Sequence, residues 1–315
     1  MKKFDVHIGV SDSVMVTKKN PVLEGTIEGE LPNQFDLIRV KQGELDTFCG
    51  MMCPVILEDG DFVFPKNLKK EILQHIQVYK NLENSNYLQI IRNKSDFDKQ
   101  GLKVILGLEG VYFVDDNKVD LIFLQKIIDM GVKVIGPMWN FKNRLFNKKK
   151  VGIIAAEFLS ICERNNIIID LAHSEEDEFS LILQNYKGKV IDSHTNLFSL
   201  NPNRRNIKDA QIEAIIKKNG IVGLTFVGDF VNGNSIEKVF EHISTFVEKF
   251  GDTNLVIGSD FDGMDKMDLV EGLSDVSEYD NLSEFMTKKG FSKNSIDNIF
   301  FKNAYNFFKT SFDNR

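Results

Sequence analysis

Cysteine is scarce: only Cys49, Cys53 and Cys162 occur in 315 residues. An odd number at irregular spacing excludes a disulfide framework, and the pair at 49 and 53 is too isolated for a zinc finger. Both are read as small apolar residues, and a reducing cytoplasm is the expected location. No run approaches the roughly 18 uninterrupted apolar residues of a membrane span. The N-terminal MKKFDVHIGVSD lacks the apolar core of a signal peptide before charge returns. There is no basic excess: the formal net charge is −7 with acids and bases interspersed, so no nucleic-acid partner and no membrane partner is expected. No glycine-rich loop follows an apolar run, which removes the common phosphate-cradling motifs. What remains, 42% hydrophobic and 27% charged residues, is the balance of a globular protein with a sizeable core.

The most informative stretch is Ile167 to Asn196, IIIDLAHSEEDEFSLILQNYKGKVIDSHTN. His173 and His194 each follow a short apolar, β-branched run, and an apolar-striped segment of helical length lies between them, closed by Gly188. This reads strand, helix, strand. A right-handed crossover makes the strands parallel and sets both histidines at strand C-terminal ends, where α/β folds place their chemistry. One such histidine is ordinarily a cap or a packing residue. Two in equivalent positions of consecutive strands favour a metal.

The same alternation extends along the chain. Strands are predicted at Phe4–Val10, Gln34–Val40, Val104–Leu108, Val132–Met138, the two histidine runs, Ile221–Val227 and Leu255–Ser259, with Phe48–Ile56 as a further apolar run. Residues 11–34 read as an irregular or hairpin insertion, Asp59-Gly60 as a turn, and 141–150 as a solvated basic loop. Helices are predicted at Asn67–Asn93 (with His75 as a solvated or packing residue), Val119–Met130, Val151–Arg164, Asn206–Lys218 with Asn206 as N-cap, and Ser235–Phe250. A Phe-rich helical tail at about 280–311 is expected to dock on the body. Eight strands alternating with helices indicate an α/β fold: a (β/α)8 TIM barrel with a C-terminal helical extension, one hydrolase domain over residues 1–315. An open doubly wound sheet is the alternative.

In a barrel all strand ends meet at one mouth. His7, Glu109, Trp139, His173, His194 and Asp260 then gather there. A carboxylate between two nitrogen-rich half-sites can bridge two metal ions, and a further carboxylate can move the proton of an attacking water.

These residues lie in FDVHIG, LGLEGVYF, IDLAHSEEDEF, VIDSHTNLFSLNPNRRNIKDAQIEAI, NGIVGLTF and IGSDFDGM. Through them the chain resembles the membrane (renal) dipeptidase family of zinc metallopeptidases, among the amidohydrolase-type barrels. The resemblance implies a metal-dependent hydrolase of dipeptides or similar small amides, with one or two zinc ions. It implies Glu109 as bridging ligand, His173 and His194 as ligands of one ion, His7 as ligand of the other, and Asp260 as the acid that handles the water's proton. Arg205 would receive the substrate's C-terminal carboxylate by bidentate pairing. A homodimer is left open as the assembly. The chain departs from the family pattern at three places. The family's His-x-Asp reads His7-Ile8-Gly9 here, so an aspartate ligand is absent; Asp5, two residues before His7, is a candidate replacement. A substrate-contacting histidine is matched by Trp139, and an aromatic by Met52. The competing expectations are therefore a family member with altered substrate and a single metal, and a non-catalytic peptide-binding barrel.

Overall fold

The computed structural model describes residues 1–17, 33–58, 61–114, 121–142, 145–146 and 150–312. Eight parallel strands form a closed ring: β1 (Lys3–Ile8), β2 (Leu45–Met52), β6 (Lys103–Glu109), β7 (Val132–Gly136), β8 (Ile168–Asp170), β9 (Val190–Thr195), β10 (Ile221–Leu224) and β11 (Leu255–Ile257). Spatial order follows chain order, and pairing of β1 with β2 on one side and β11 on the other completes the ring. The short β5 (Gln89–Ile90) pairs with the first residues of β6, and β3 (Ile56–Glu58) with β4 (Asp61–Val63) forms a separate antiparallel hairpin. This is the (β/α)8 barrel expected from the alternation.

Every one of the eight ring strands contributes to one buried cluster, among them Phe4, Met51, Ile105, Ile168, Ile191 and Val256. That cluster is the filled interior of the barrel, and it continues into Phe307, Phe308 and Phe312 at the end of the chain. The ring of Phe308 stacks on Phe4 at 5.3 Å. The Phe-rich tail thus packs against the barrel interior. A second, larger cluster fills the layer between strands and helices.

Some expectations change. Gln34–Val40 is not a strand: Leu37–Gln42 is a helix, capped by the Asp36 side chain accepting from the N–H groups of Ile38 and Arg39. The second ring strand is Leu45–Met52, and a short apolar run alone does not separate the two possibilities. Residues Val10–Thr17 are helical rather than irregular; the rest of the expected insertion up to 32, the Asp59-Gly60 turn, the start of the helix expected at Val119 and much of the basic loop lie outside the described residues. The helix expected at Asn67–Asn93 runs Leu68–Asn84, where Ser85 and the left-handed Asn86 end it. Asn206 does not cap the following helix, which spans Asp209–Lys217 with Lys208 at its N-cap. Asn206 instead donates to the carbonyls of Asn201 and Phe230. His75 is buried, its Nδ1 3.0 Å from Ser11 Oγ, so the packing alternative holds and the solvated one does not.

Candidate active site at the barrel mouth

The strand ends bring His7, Glu109, His173, His194 and Asp260 together, as the barrel topology requires. Two of them sit in backbone conformations that L-residues seldom adopt, His173 at φ 65° and Asp260 at φ 69°. Such strain is retained where surrounding structure over-determines it, commonly at functional sites.

Glu109 stands at the centre and divides its oxygens. Oε1 lies 2.9 Å from His173 Nε2 and 3.6 Å from His194 Nε2; Oε2 lies 3.9 Å from His7 Nε2. Asp260 Oδ1 approaches His7 Nε2 at 3.6 Å. Two groups of donor atoms result, Glu109–His173–His194 and His7–His194–Asp260. His194 belongs to both, whereas the family pattern implied it for one ion only.

The other ring nitrogens fix which atoms face the centre. Ser193 Oγ donates to Asp170 Oδ2 at 2.5 Å, so its lone pairs accept from His7 Nδ1 at 2.8 Å and His194 Nδ1 at 2.9 Å. Asn140 Oδ1 accepts from His173 Nδ1 at 3.1 Å. Each imidazole therefore carries its proton on Nδ1 and turns an Nε2 lone pair inward. His173 Nε2 and His194 Nε2 are 3.0 Å apart. His194 Nε2 accepts from Arg205 on its other side, while His173 Nε2 and Glu109 Oε1, which has no hydrogen-bond partner among the described residues, leave acceptor atoms gathered with no proton between them. The donor set fits a divalent metal.

The electrostatics agree. Burial first, then the charge of Arg205, pushes His7 down to about 3. Burial likewise holds His173 and His194 well below the usual imidazole range. All three are neutral imidazoles at physiological pH, the form in which a ring nitrogen can bind a metal. Burial raises Glu109 well above the carboxylate range, with Asp260 adding repulsion, and raises Asp260 to about 7.

Arg205 is buried at the rim, one guanidinium nitrogen 2.8 Å from His194 Nε2 and its Nε without a partner among the described residues. A cavity of about 290 Å³ opens beside it, lined by His173, Asp192 and Arg204 among others. The loop that carries Arg205 is tied down where the Leu197 N–H donates to Nδ1 of buried His242 at 3.0 Å. Burial depresses His242 to about 4, against a hydrogen bond at Val231 that opposes the shift. A base whose folded pKa lies below its unfolded value stabilises the fold fully above the unfolded pKa, and that contribution fades as pH falls. The loss should run from about pH 6.5 to about 4. Thermal melts of wild type and His242→Asn across that range test this: the variant should show the shallower decline, and parallel curves would place the acid lability elsewhere.

Trp139 is half-buried over the mouth, 6.3 Å from the His173 ring. It does not stand alone. Phe62 of the β3–β4 hairpin meets it edge-on at 5.4 Å, and Phe141 packs at 5.4 Å. Tyr112 locks the arrangement by accepting from the Trp139 N–H and donating to the Phe141 carbonyl, both at 2.8 Å. Met52, matched to a family aromatic, is instead buried in the layer behind the strands. Asp5 is occupied by the His7 N–H, the Ser259 N–H and the Tyr279 hydroxyl, and does not join the donor groups.

A filled parallel barrel whose mouth holds three inward imidazole lone pairs around a divided carboxylate is a metal-dependent hydrolase. The sequence profile of the membrane dipeptidase family (peptidase family M19) matches residues 1–313, and the chain belongs to that family of dipeptide-cleaving metallohydrolases. It is 27% identical over 296 residues to an uncharacterised dipeptidase of Schizosaccharomyces pombe, covering 85% of this chain and 70% of the relative. It is 25% identical over 285 residues to the dipeptidase verJ of Clonostachys rogersoniana, covering 84% and 72%. Among solved structures the fold is similar to a family M19 metallo-dipeptidase (TM-score 0.84, 19% identity, 99% of both chains). It is also similar to a Rhodobacter sphaeroides metallopeptidase liganded with a phosphinate mimic of the dipeptide L-Ala-D-Ala (TM-score 0.82, 19% identity, 97% and 98% of the chains). No described helix is long and apolar enough to cross a membrane.

Proposed function

We propose that this chain hydrolyses the amide bond of dipeptides with a free C-terminal carboxylate, using zinc. The observation that carries the reading is the division of Glu109 between His173 and His194 on one oxygen and His7 on the other. His173, His194 and Glu109 would hold one ion, and His7 with Glu109 would contribute to holding the other. Bound there, zinc supplies Lewis acidity to the scissile carbonyl and makes an attacking water acidic. Asp260 Oδ1 takes that water's proton and returns it to the leaving amine nitrogen, a role suited to a carboxylate raised to about 7. Arg205 offers its unpartnered Nε–H and a terminal N–H to the substrate carboxylate. Zinc content per chain, measured with turnover of L,L- and L,D-dipeptides, tests the proposal. Bound metal with no turnover across the panel would favour the non-catalytic peptide-binding barrel.

A second reading, the same chemistry on a shifted substrate, draws on the aromatic wall of Phe62, Trp139 and Phe141. Bulky apolar side chains on the substrate would bury against it, and Trp139→Ala should then cost such substrates more than Ala-Ala.

Ser193→Ala removes the acceptor that orients two ligands together. Loss of such an outer partner lowers metal affinity about 10–100-fold. Competition with a chelator measures it; unchanged affinity would mean that packing alone orients His7 and His194.

A further inference from the structure

The unpartnered polar atoms of this protein are not scattered. Nine buried side-chain nitrogens and oxygens lack a hydrogen-bond partner among the described residues. Four of the nine belong to residues that line the cavity beside Arg205: Ser174 Oγ, Asp192 Oδ1, Arg205 Nε and Asn206 Oδ1. A buried polar atom without a partner is costly, so four at one cavity mark a place built to receive polar groups. The cavity, about 290 Å³, lies between the loops that follow β8 and β9. Asp192 is its least expected member. On β9, Ile191 belongs to the barrel interior, so alternation turns Asp192 to the outer face, where Val190 packs in the apolar layer against the helices. An acid has no packing use on that face, yet Asp192 is only 5% exposed. Asn206 is buried to the same degree. Its amide nitrogen donates to the carbonyls of Asn201 and Phe230, which uses both protons and fixes Oδ1 as the bare acceptor. Two cations of the lining are engaged elsewhere: Lys208 pairs with Glu176, and Arg204 donates to Asn140 Oδ1 at 3.2 Å.

We propose that this cavity takes the side chain of the substrate's C-terminal residue and selects one that ends in an ammonium group, as in lysine or ornithine. The proposal rests on the reading of Arg205 as receptor of the C-terminal carboxylate, because the side chain leaves the same Cα and enters the space beside the guanidinium. The Arg205 Nε–H meets the carboxylate. Asp192 Oδ1 and Asn206 Oδ1 accept from the ammonium, whose donors then have one anionic and one neutral oxygen to reach. Phe179, Phe198 and Ile207 line the same cavity and cover the methylene stem. Asp192 is thus a specificity-determining residue. A side chain of equal stem length without the nitrogen leaves both acceptors unpaired, and that penalty is what lets a polar pocket discriminate.

The test compares Ala-Lys with Ala-norleucine on the zinc-loaded protein, in L,L and L,D forms. The two peptides share a backbone and a four-carbon stem and differ by the ammonium. In the wild type kcat/KM for Ala-Lys should exceed that for Ala-norleucine about 10–100-fold, the size of hydrogen bonds to a charged group. In Asp192→Asn, nearly the same shape without the charge, the ratio should fall towards parity. Calorimetric affinities of the same two peptides are measured alongside, and the wild-type comparison needs no variant to fold. Parity or a preference for Ala-norleucine in the wild type overturns the proposal, as does an Asp192→Asn protein that keeps the wild-type ratio. If Asp192→Asn loses both peptides alike with its zinc intact, Asp192 is the counter-ion of Arg205 and the proposal falls. Failure of the dipeptidase reading is a separate result: neither peptide is then turned over, and the calorimetric ratio still decides the preference of the cavity.

Discussion

Replacing His194 by alanine should strip zinc from the protein and lower dipeptide turnover by a factor on the order of 10³ or more, the several kcal/mol that a metal contributes to such a reaction. The reason is geometric. His194 Nε2 is within reach of both donor groups, 3.0 Å from His173 Nε2 on one side and grouped with His7 and Asp260 on the other. Its ring also packs 3.8 Å from that of His7, centroid to centroid. Removing it takes a ligand from one ion and opens a hole beside the other. His7→Ala should be milder. It removes one donor from the half-site that already lacks an aspartate at position 9, and the Glu109–His173–His194 group stays complete. Elemental analysis should find one equivalent retained in His7→Ala and none in His194→Ala. Equal losses in the two variants would mean that the ions bind only as a pair.

Why these two histidines were legible in the sequence, and their supports were not, has a physical basis. A histidine directly after a β-branched run, repeated one strand–helix unit later, has few structural explanations. The periodicity itself placed it at a strand end. Ser193, Asp170 and Asn140 carry no such mark. A serine before a histidine, or an asparagine after a tryptophan, looks the same on a solvated loop as it does when holding an imidazole tautomer. Only the barrel closure, which sets β8 beside β9 and brings His7 of β1 across to β9, places Ser193 Oγ between two rings. Cys53 misled for the same reason. As sequence it is an apolar residue in an apolar run; in the fold its N–H donates to the Asp12 carboxylate. The barrel was readable because eight apolar runs with intervening helical stripes suffice to define it. The second of those runs was misplaced because Phe35, Leu37, Ile38 and Val40 fit a strand and a short helix alike, and the Asp36 cap decides between them. Trp139 is legible as a departure that reshapes the pocket for an altered substrate, but its neighbours in space are not. The hairpin residue Phe62, far away in sequence, turns a single bulky side chain into one part of a wall.

Arg205→Ala should separate substrates by their C-terminus. The guanidinium is buried, sits over the Phe230 ring at 5.4 Å and keeps an N–H without a partner among the described residues. Its approach is fixed by the loop bonds of Asn203 Oδ1 to its own N–H and of Thr195 Oγ1 to its carbonyl. A charge-assisted pair in such a place is worth about 2–5 kcal/mol when one partner is truncated. That corresponds to a loss of roughly 30-fold or more in affinity for free dipeptides. C-terminally amidated dipeptides offer no anion and should bind the variant about as well as the wild type. The loss should appear mainly in KM, because the carboxylate is bound alike in the ground and transition states and the reacting carbonyl lies elsewhere. Arg205→Lys restores charge without the planar fork and should recover only part of the affinity. The position of one guanidinium nitrogen 2.8 Å from His194 Nε2 supplies the competing outcome. If Arg205 serves instead to hold His194, the variant would lose zinc and would slow free and amidated substrates equally. Measuring zinc content in the same samples separates a carboxylate receptor from a ligand support.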